Sequence, residues 1–285
     1  SEINGLGQNS FRIFDTTIII WRGIIMSKHN SFEIIDFHIH PFMSDDNNLC
    51  PYENTVNDLD GLMEDLLRAG ISKACGCVLR KEQNETFDSI RRLNDEAILI
   101  KDKLGEFYIP GIQINPKYVK ESCEELKRMY DLGVKLVGEL VPHSMNWEYY
   151  YDSNFHEIYE YIQELGMVVN VHTKNDDTLE MAVRNFPGIM FVAAHPGEKN
   201  TYLRHLELMK KYDNYFLDLS GTGIFRYGML RYGVNQAGSE RFLFGTDYPI
   251  CNPGMYVQAV LYERLKDKDY EAIFSGNARR LLNLV

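Results

Sequence analysis

The sequence lacks three things that would have opened other functions to it. It has no uninterrupted apolar run of the roughly 18 residues that a membrane-spanning helix requires. The nearest approach, "FRIFDTTIIIWRGIIM", is broken by Asp15 and Arg22 and is followed by no small-residue cleavage site, so it fits neither a span nor a signal peptide. Positive charge is also short: 30 basic residues face 41 acidic ones, a net charge of −11, and the averaged field repels nucleic-acid phosphates and anionic membranes. A small anionic substrate is still compatible, because a local metal or arginine outweighs diffuse charge at contact distance. Finally, there is no C-x-x-C pairing. The five cysteines, Cys50, Cys75, Cys77, Cys123 and Cys251, form an odd set, as expected in a reducing, cytoplasmic setting. Cys75 and Cys77 read as small buried thiols in "ISKACGCVL".

The chain does have a regular alternation of short apolar runs with amphipathic helical patterns. "EIIDFHI" reads as a strand, and "VNDLDGLMEDLLRAG" as a helix with Leu59, Leu62, Met63, Leu66 and Leu67 on one stripe and Gly70 as its stop. The unit recurs through strands "ISKACGCVL", "FYIPGIQI", "VKLVGEL", "MVVNVH", "IMFVAAH", "YFLDLS" and "RFLFGTD", with helical material after each. Eight such units over residues 34–285 match the roughly 250 residues of a single (β/α)8 barrel, the TIM barrel. A doubly wound sheet seldom needs eight units, and no glycine fingerprint follows the first strand. Residues 1–33 read as an N-terminal extension, peripheral to the 34–285 domain. The one long connection, 141–154, carries Trp147 and three consecutive tyrosines and is expected to form a lid or an interface, which makes a homodimer plausible.

Strands of a parallel barrel are buried on both faces and should be apolar throughout, so their polar residues are informative. His38 and His40 end the first strand, Glu139 the fourth, His172 the fifth, His195 the sixth and Asp247 the eighth. Strict alternation puts His38 and His40 on one side, facing the barrel mouth, with Ile35, Phe37 and Ile39 toward the helices and Asp36 one layer deeper as a partner. A lone histidine is usually a hydrogen-bonded structural residue. Four at equivalent strand ends, joined by a carboxylate, point to a bound cation, and nitrogen with oxygen donors suits Zn²⁺ or a similar divalent metal.

These residues resemble the amidohydrolase superfamily, in its amidohydrolase-related branch of aminocarboxymuconate semialdehyde decarboxylase-like enzymes and pyrone dicarboxylate lactonases. The resemblance rests on "DFHIHP", "VNVHT", "VAAHPG", "RFLFGTDYP" and "FSGNARRLL". It implies that His38, His40, His172 and Asp247 bind one divalent metal, Zn²⁺ or Mn²⁺, and that His195 meets substrate or the attacking water. Glu139 departs from the simplest pattern: it either bridges to a second metal, completed by His172 and His195, or hydrogen-bonds a neighbour. The implied activity is hydrolysis of a small ester, lactone or amide, with Asp247 and His195 catalytic. The alternative is decarboxylation or hydration of a small unsaturated acid, with Arg80, Arg226 or Lys174 as candidates to hold its carboxylate. A metal-stapled scaffold without activity is the non-enzymatic reading.

Overall fold

A computed structural model describes residues 32–44, 49, 56, 58–80, 86–173 and 177–284. Lys174, Cys50 and residues 1–31 of the extension lie outside the described residues. Phe32 and Glu33 pack on the end of the chain: the Phe32 ring lies 5.5 Å from that of Tyr270, and Glu33 pairs with Arg279 at 2.6 Å.

Eight strands run in the order β1 (Ile35–Ile39), β2 (Lys73–Cys77), β3 (Tyr108–Ile112), β4 (Leu136–Leu140), β5 (Val168–His172), β6 (Phe191–Ala194), β7 (Tyr215–Asp218) and β8 (Phe242–Leu243). Each is parallel to the next. Hydrogen bonds from Phe37 N to Phe244 O, Asp247 N to His38 O and His40 N to Tyr248 O, each 2.8 Å, join the last strand to the first and close the cylinder. The helices that return the chain are α1 (Leu59–Arg68), α2 (Phe87–Leu104), α3 (Val119–Asp131), α4 (Ser153–Leu165), α5 (Thr178–Asn185), α6 (Lys199–Lys211), α7 (Met229–Ala237) and α8 (Pro253–Tyr262). The chain ends in α9 (Asp267–Glu271) and α10 (Asn277–Leu282), and the whole is the expected (β/α)8 barrel.

Local chemistry sets the helix starts. Asp58, Thr86, Asp152 and Asn252 each accept a hydrogen bond from a backbone N–H of the first turn of α1, α2, α4 and α8. Gly166 ends α4 in the left-handed conformation, at φ 62°.

Register tells which side chains face inward. Ile35, Cys75, Leu136, Val168, Val192, Phe216 and Leu243 form one buried cluster with Phe37, with Ile109 packed against it. Residues from all eight strands can meet only inside the cylinder, so these make its floor, joined by Ala278 and Leu282 of α10. Ile35 and Phe37 therefore point into the barrel, and strict alternation would turn His38 away from it. A bulge prevents this. Between the pairs Asp36↔Ala74 and Ile39↔Gly76, two residues of β1 stand against one of β2, so Phe37 and His38 both face inward and His40 follows on the same side. The same irregularity recurs in β4, where Val137↔Val169 and Leu140↔Val171 enclose Gly138 and Glu139 and turn Glu139 into the barrel.

The 141–154 connection is not a free lid. Met145 and Tyr150 are fully buried, the Tyr150 hydroxyl lies 2.6 Å from the His172 carbonyl, and Trp147 packs edge-on against Phe155 at 5.0 Å. Tyr149 is exposed.

Candidate metal centre

The inward-facing polar residues converge at the carboxyl ends of the strands. His38 Nε2 lies 3.3 Å from His40 Nε2, 3.5 Å from Glu139 Oε2 and 3.7 Å from Asp247 Oδ1. His40 Nε2 is 3.4 Å from Glu139 Oε2 and 3.4 Å from Asp247 Oδ1. All four residues are buried.

Hydrogen bonding fixes which way these imidazoles present themselves. His40 Nδ1 is 3.1 Å from the Cys77 carbonyl, which can only accept, so Nδ1 carries the proton. His38 Nδ1 is 3.0 Å from Asp218 Oδ2 and likewise donates. In the neutral rings, both Nε2 atoms then hold lone pairs and face each other beside two carboxylate oxygens. Four electron-rich atoms at this spacing repel unless a positive charge sits among them. Four of the five distances, at 3.3–3.5 Å, match the edges of a tetrahedron around an ion with bonds of about 2.0–2.2 Å, which are about 3.3–3.6 Å, and the fifth, at 3.7 Å, is slightly longer. The donor set thus fits a divalent metal cation.

The electrostatics agree. Burial disfavours charge on His38, yet the Asp218 and Glu139 carboxylates overcome it and hold its pKa well above the usual histidine value. His40 is raised in the same way, against burial, by Asp247, Cys77 and Glu139. Glu139 is held well below the usual carboxylate range, because the surrounding imidazoles outweigh its burial. The cluster is a negative well that stabilises cations.

Glu139 is central to the arrangement. While Oε2 faces His38 and His40, Oε1 is 2.9 Å from His172 Nδ1 and 3.3 Å from His195 Nε2. Among the described residues, the triads with ligand atoms mutually within 4.8 Å are His38, His40 and Asp247, and His38, Glu139 and His195. His172, which the resemblance placed with His38, His40 and Asp247, belongs to neither; it contacts the far oxygen of Glu139 and is about a third exposed (34%). Glu139, which the β4 bulge turns into the barrel, stands with His38 and His195 in the second triad, and its Oε2 also lies 3.4 Å from His40 Nε2. His195 and Asp247 both have left-handed backbones, at φ 70° and 67°, a conformation that non-glycine residues adopt at some cost and that clusters at functional sites.

Asp36 is not a partner of the imidazole rings. It lies outside the barrel wall and accepts hydrogen bonds from His38 N and Thr246 N, both 3.0 Å, and from Thr246 Oγ1 at 2.5 Å, which latches β1 to the segment after β8. Burial pushes its carboxyl up to about 7. The partner of His38 is Asp218 at the end of β7, itself steadied by Asn170 Nδ2 at 3.0 Å. "YFLDLS" carries Asp218 and Ser220 two residues apart at a strand end, the same signal as His38 and His40, and sequence reasoning passed over it. The candidate carboxylate binders Arg80 and Arg226 are ion-paired, to Glu96 and Glu198. No helix among the described residues is long and apolar enough to cross a membrane.

A family model described as Amidohydrolase matches residues 35–284. No curated protein matches in sequence. Among solved structures, 5-carboxyvanillate decarboxylase from Sphingomonas paucimobilis is 16% identical, with a TM-score of 0.69 over 90% of this chain and 100% of that one. A dihydroxybenzoic acid decarboxylase from Polaromonas sp. JS666, solved with manganese and 2-nitroresorcinol, is 16% identical, with a TM-score of 0.69 over 89% of this chain and 97% of that one. A Pseudomonas putida protein assigned as a 2-pyrone-4,6-dicarboxylic acid hydrolase is 18% identical, with a TM-score of 0.67 over 88% of this chain and 98% of that one. At these identities the likeness is one of fold.

Proposed function

The chain belongs to the amidohydrolase family, and from that premise we propose that it is a metal-dependent hydrolase of a small ester, lactone or amide. The observation that carries the reading is the convergence of His38 Nε2, His40 Nε2 and Asp247 Oδ1, with Glu139 Oε2 at 3.5 and 3.4 Å from the two imidazoles. These residues would hold the ion, and a divalent cation there supplies Lewis acidity that polarises a bound oxygen. Two nitrogens with two oxygens suit Zn²⁺ and Mn²⁺ alike.

Asp247 would take a proton from the attacking water and return it to the leaving group. Its backbone is anchored for this by the bond from Asp247 N to His38 O. His195 offers Nε2 from the opposite side and would accept a hydrogen bond from the attacking water, orienting it. His172, the more exposed of the Glu139 contacts, would meet outer polar groups of the substrate. Were a second ion bound, the Glu139 carboxylate, which contacts both pairs of imidazoles, would help hold it together with His172 and His195.

The second reading is decarboxylation of an unsaturated or aromatic acid, favoured by the carboxyvanillate and dihydroxybenzoate decarboxylases among the relatives. Here His195 or Asp247 would deliver the proton that replaces the departing CO₂. One experiment separates the two: zinc- and manganese-loaded protein is given a panel of lactones, esters, amides and aromatic acids, with acid release and CO₂ evolution followed in parallel. Acid release without CO₂ supports hydrolysis, CO₂ from acids alone replaces it with the second reading, and inactivity across the panel with metal tightly bound returns the chain to the scaffold class.

A further inference from the structure

Ser220 has one hydroxyl proton and three polar neighbours. Its Oγ makes a short hydrogen bond to Asp218 Oδ1 and lies 3.0 Å from His195 Nδ1 and 3.2 Å from His38 Nδ1. Two oxygens at hydrogen-bonding distance must have a proton between them. Asp218 does not provide it, because both its oxygens already serve as acceptors: Oδ1 takes the Ser220 N–H at 3.0 Å, and Oδ2 takes Asn170 Nδ2 at 3.0 Å and faces His38 Nδ1 at 3.0 Å. The serine proton is therefore committed to Asp218, and Ser220 Oγ can only accept from His195. The Nδ1 atom of His195 must bring its own proton.

We propose that Ser220, locked by Asp218, is a positioning residue that fixes a proton on His195 Nδ1, so that Nε2 is the nitrogen the ring offers to substrate. One carboxylate thereby sets two rings, His38 directly through Oδ2 and His195 through the serine on Oδ1. Packing holds the second ring in place. A Cβ on Gly221, at φ 59°, would lie 2.3 Å from His195 Nδ1, so the ring rests on bare backbone, and the Tyr256 hydroxyl of α8 ties down the Gly221 carbonyl. The neutral tautomer this dictates aims a lone pair at the centre of the site, beside Glu139 Oε1 at 3.3 Å.

The inference deepens the role given to His195 above, and its test needs no substrate, so the two can fail separately. Zinc-loaded full-length protein labelled with ¹⁵N-histidine is examined by long-range ¹H–¹⁵N correlation, with His195 assigned by its loss in His195→Gln. In the wild type His195 Nδ1 is expected to be the protonated nitrogen. In Ser220→Ala the ring should average between tautomers, while zinc affinity stays within about threefold because Asp218 still receives the His38 proton; Ser220→Thr should restore the single tautomer. An unprotonated Nδ1 in the wild type, an unchanged ring in Ser220→Ala, or no recovery in Ser220→Thr overturns the proposal. The wild-type spectrum alone decides it should the variants fail to fold.

Discussion

A Cβ placed on Gly76 would lie 1.9 Å from the carbonyl oxygen of Ile39, so β1 and β2 touch backbone to backbone beside the bulge that delivers His38 and His40. Gly76 also sits at φ 153°, which side chains rarely adopt. Gly76→Ala must either push the strands apart or straighten the bulge, and straightening it would turn His38 out of the barrel. The expected cost is about 3 kcal/mol, with loss of metal binding. Gly133→Ala is the control: φ is 89° there too, but nothing lies within 4 Å of the new Cβ, so only the backbone penalty of about 1–2 kcal/mol remains. Urea unfolding with zinc titration of both variants checks this; equal losses would mean that the strand contact is not what matters at Gly76.

Removing charge from Glu139 tests the centre of the donor set. Glu139→Gln keeps the shape but takes the anion away from His38 Nε2 at 3.5 Å and His40 Nε2 at 3.4 Å. Metal affinity should fall at least about 100-fold, the upper end of what the loss of an outer partner costs. Elemental analysis of the wild type reads the second role: near two atoms per chain makes Glu139 a bridge, near one leaves its second oxygen hydrogen-bonded to His172.

Asp247→Asn should retain the fold, because the turn is held by the backbone bonds from Asp247 N to His38 O and from Ile250 N to Asp247 O. Turnover should fall about 10²–10⁴-fold, the range for losing a positioned proton carrier. Turnover within tenfold of wild type would take the proton-transfer role away from this residue.

The barrel was legible because eight units of apolar strand and amphipathic helix leave few other closed packings, and the inward convergence of His38, His40, Glu139, His195 and Asp247 followed from their places at strand ends. What period-two reasoning missed were the two bulges. The β1 bulge reversed the expected facing of Ile35, Asp36 and Phe37, and both bulges depend on Gly76 and Gly138 meeting a neighbouring backbone, which no local pattern reveals. Asp218 escaped for a different reason: its partner His38 is 180 residues away, and only closure of the barrel brings them together.

The latch between Asp36 and Thr246 gives a purely structural prediction. Thr246→Val keeps the volume but leaves Asp36 Oδ2 without its 2.5 Å donor in a fully buried place. An unsatisfied buried acceptor costs about 1–3 kcal/mol, read as a shift in the urea midpoint. Because the latch sits outside the donor set, the folded variant should still bind as much zinc as the wild type.

His205 predicts a pH dependence of its own. It is buried in α6 with Nδ1 2.7 Å from the Tyr215 hydroxyl, and burial, its largest influence, lowers its pKa from the usual 6.5 to about 4. Between those values the unfolded chain binds a proton that the folded chain refuses, so stability falls as pH drops from about 7 and levels off below about 4. The full loss is about 3 kcal/mol at 1.36 kcal/mol per unit. His205→Phe removes the titration and leaves Tyr215 without its partner, a cost that is the same at every pH. The difference in unfolding free energy between the two proteins should therefore shrink steadily from pH 7 to pH 4.5. A difference that stays constant over that range would mean that His205 accepts its proton in the folded state as readily as in the unfolded one.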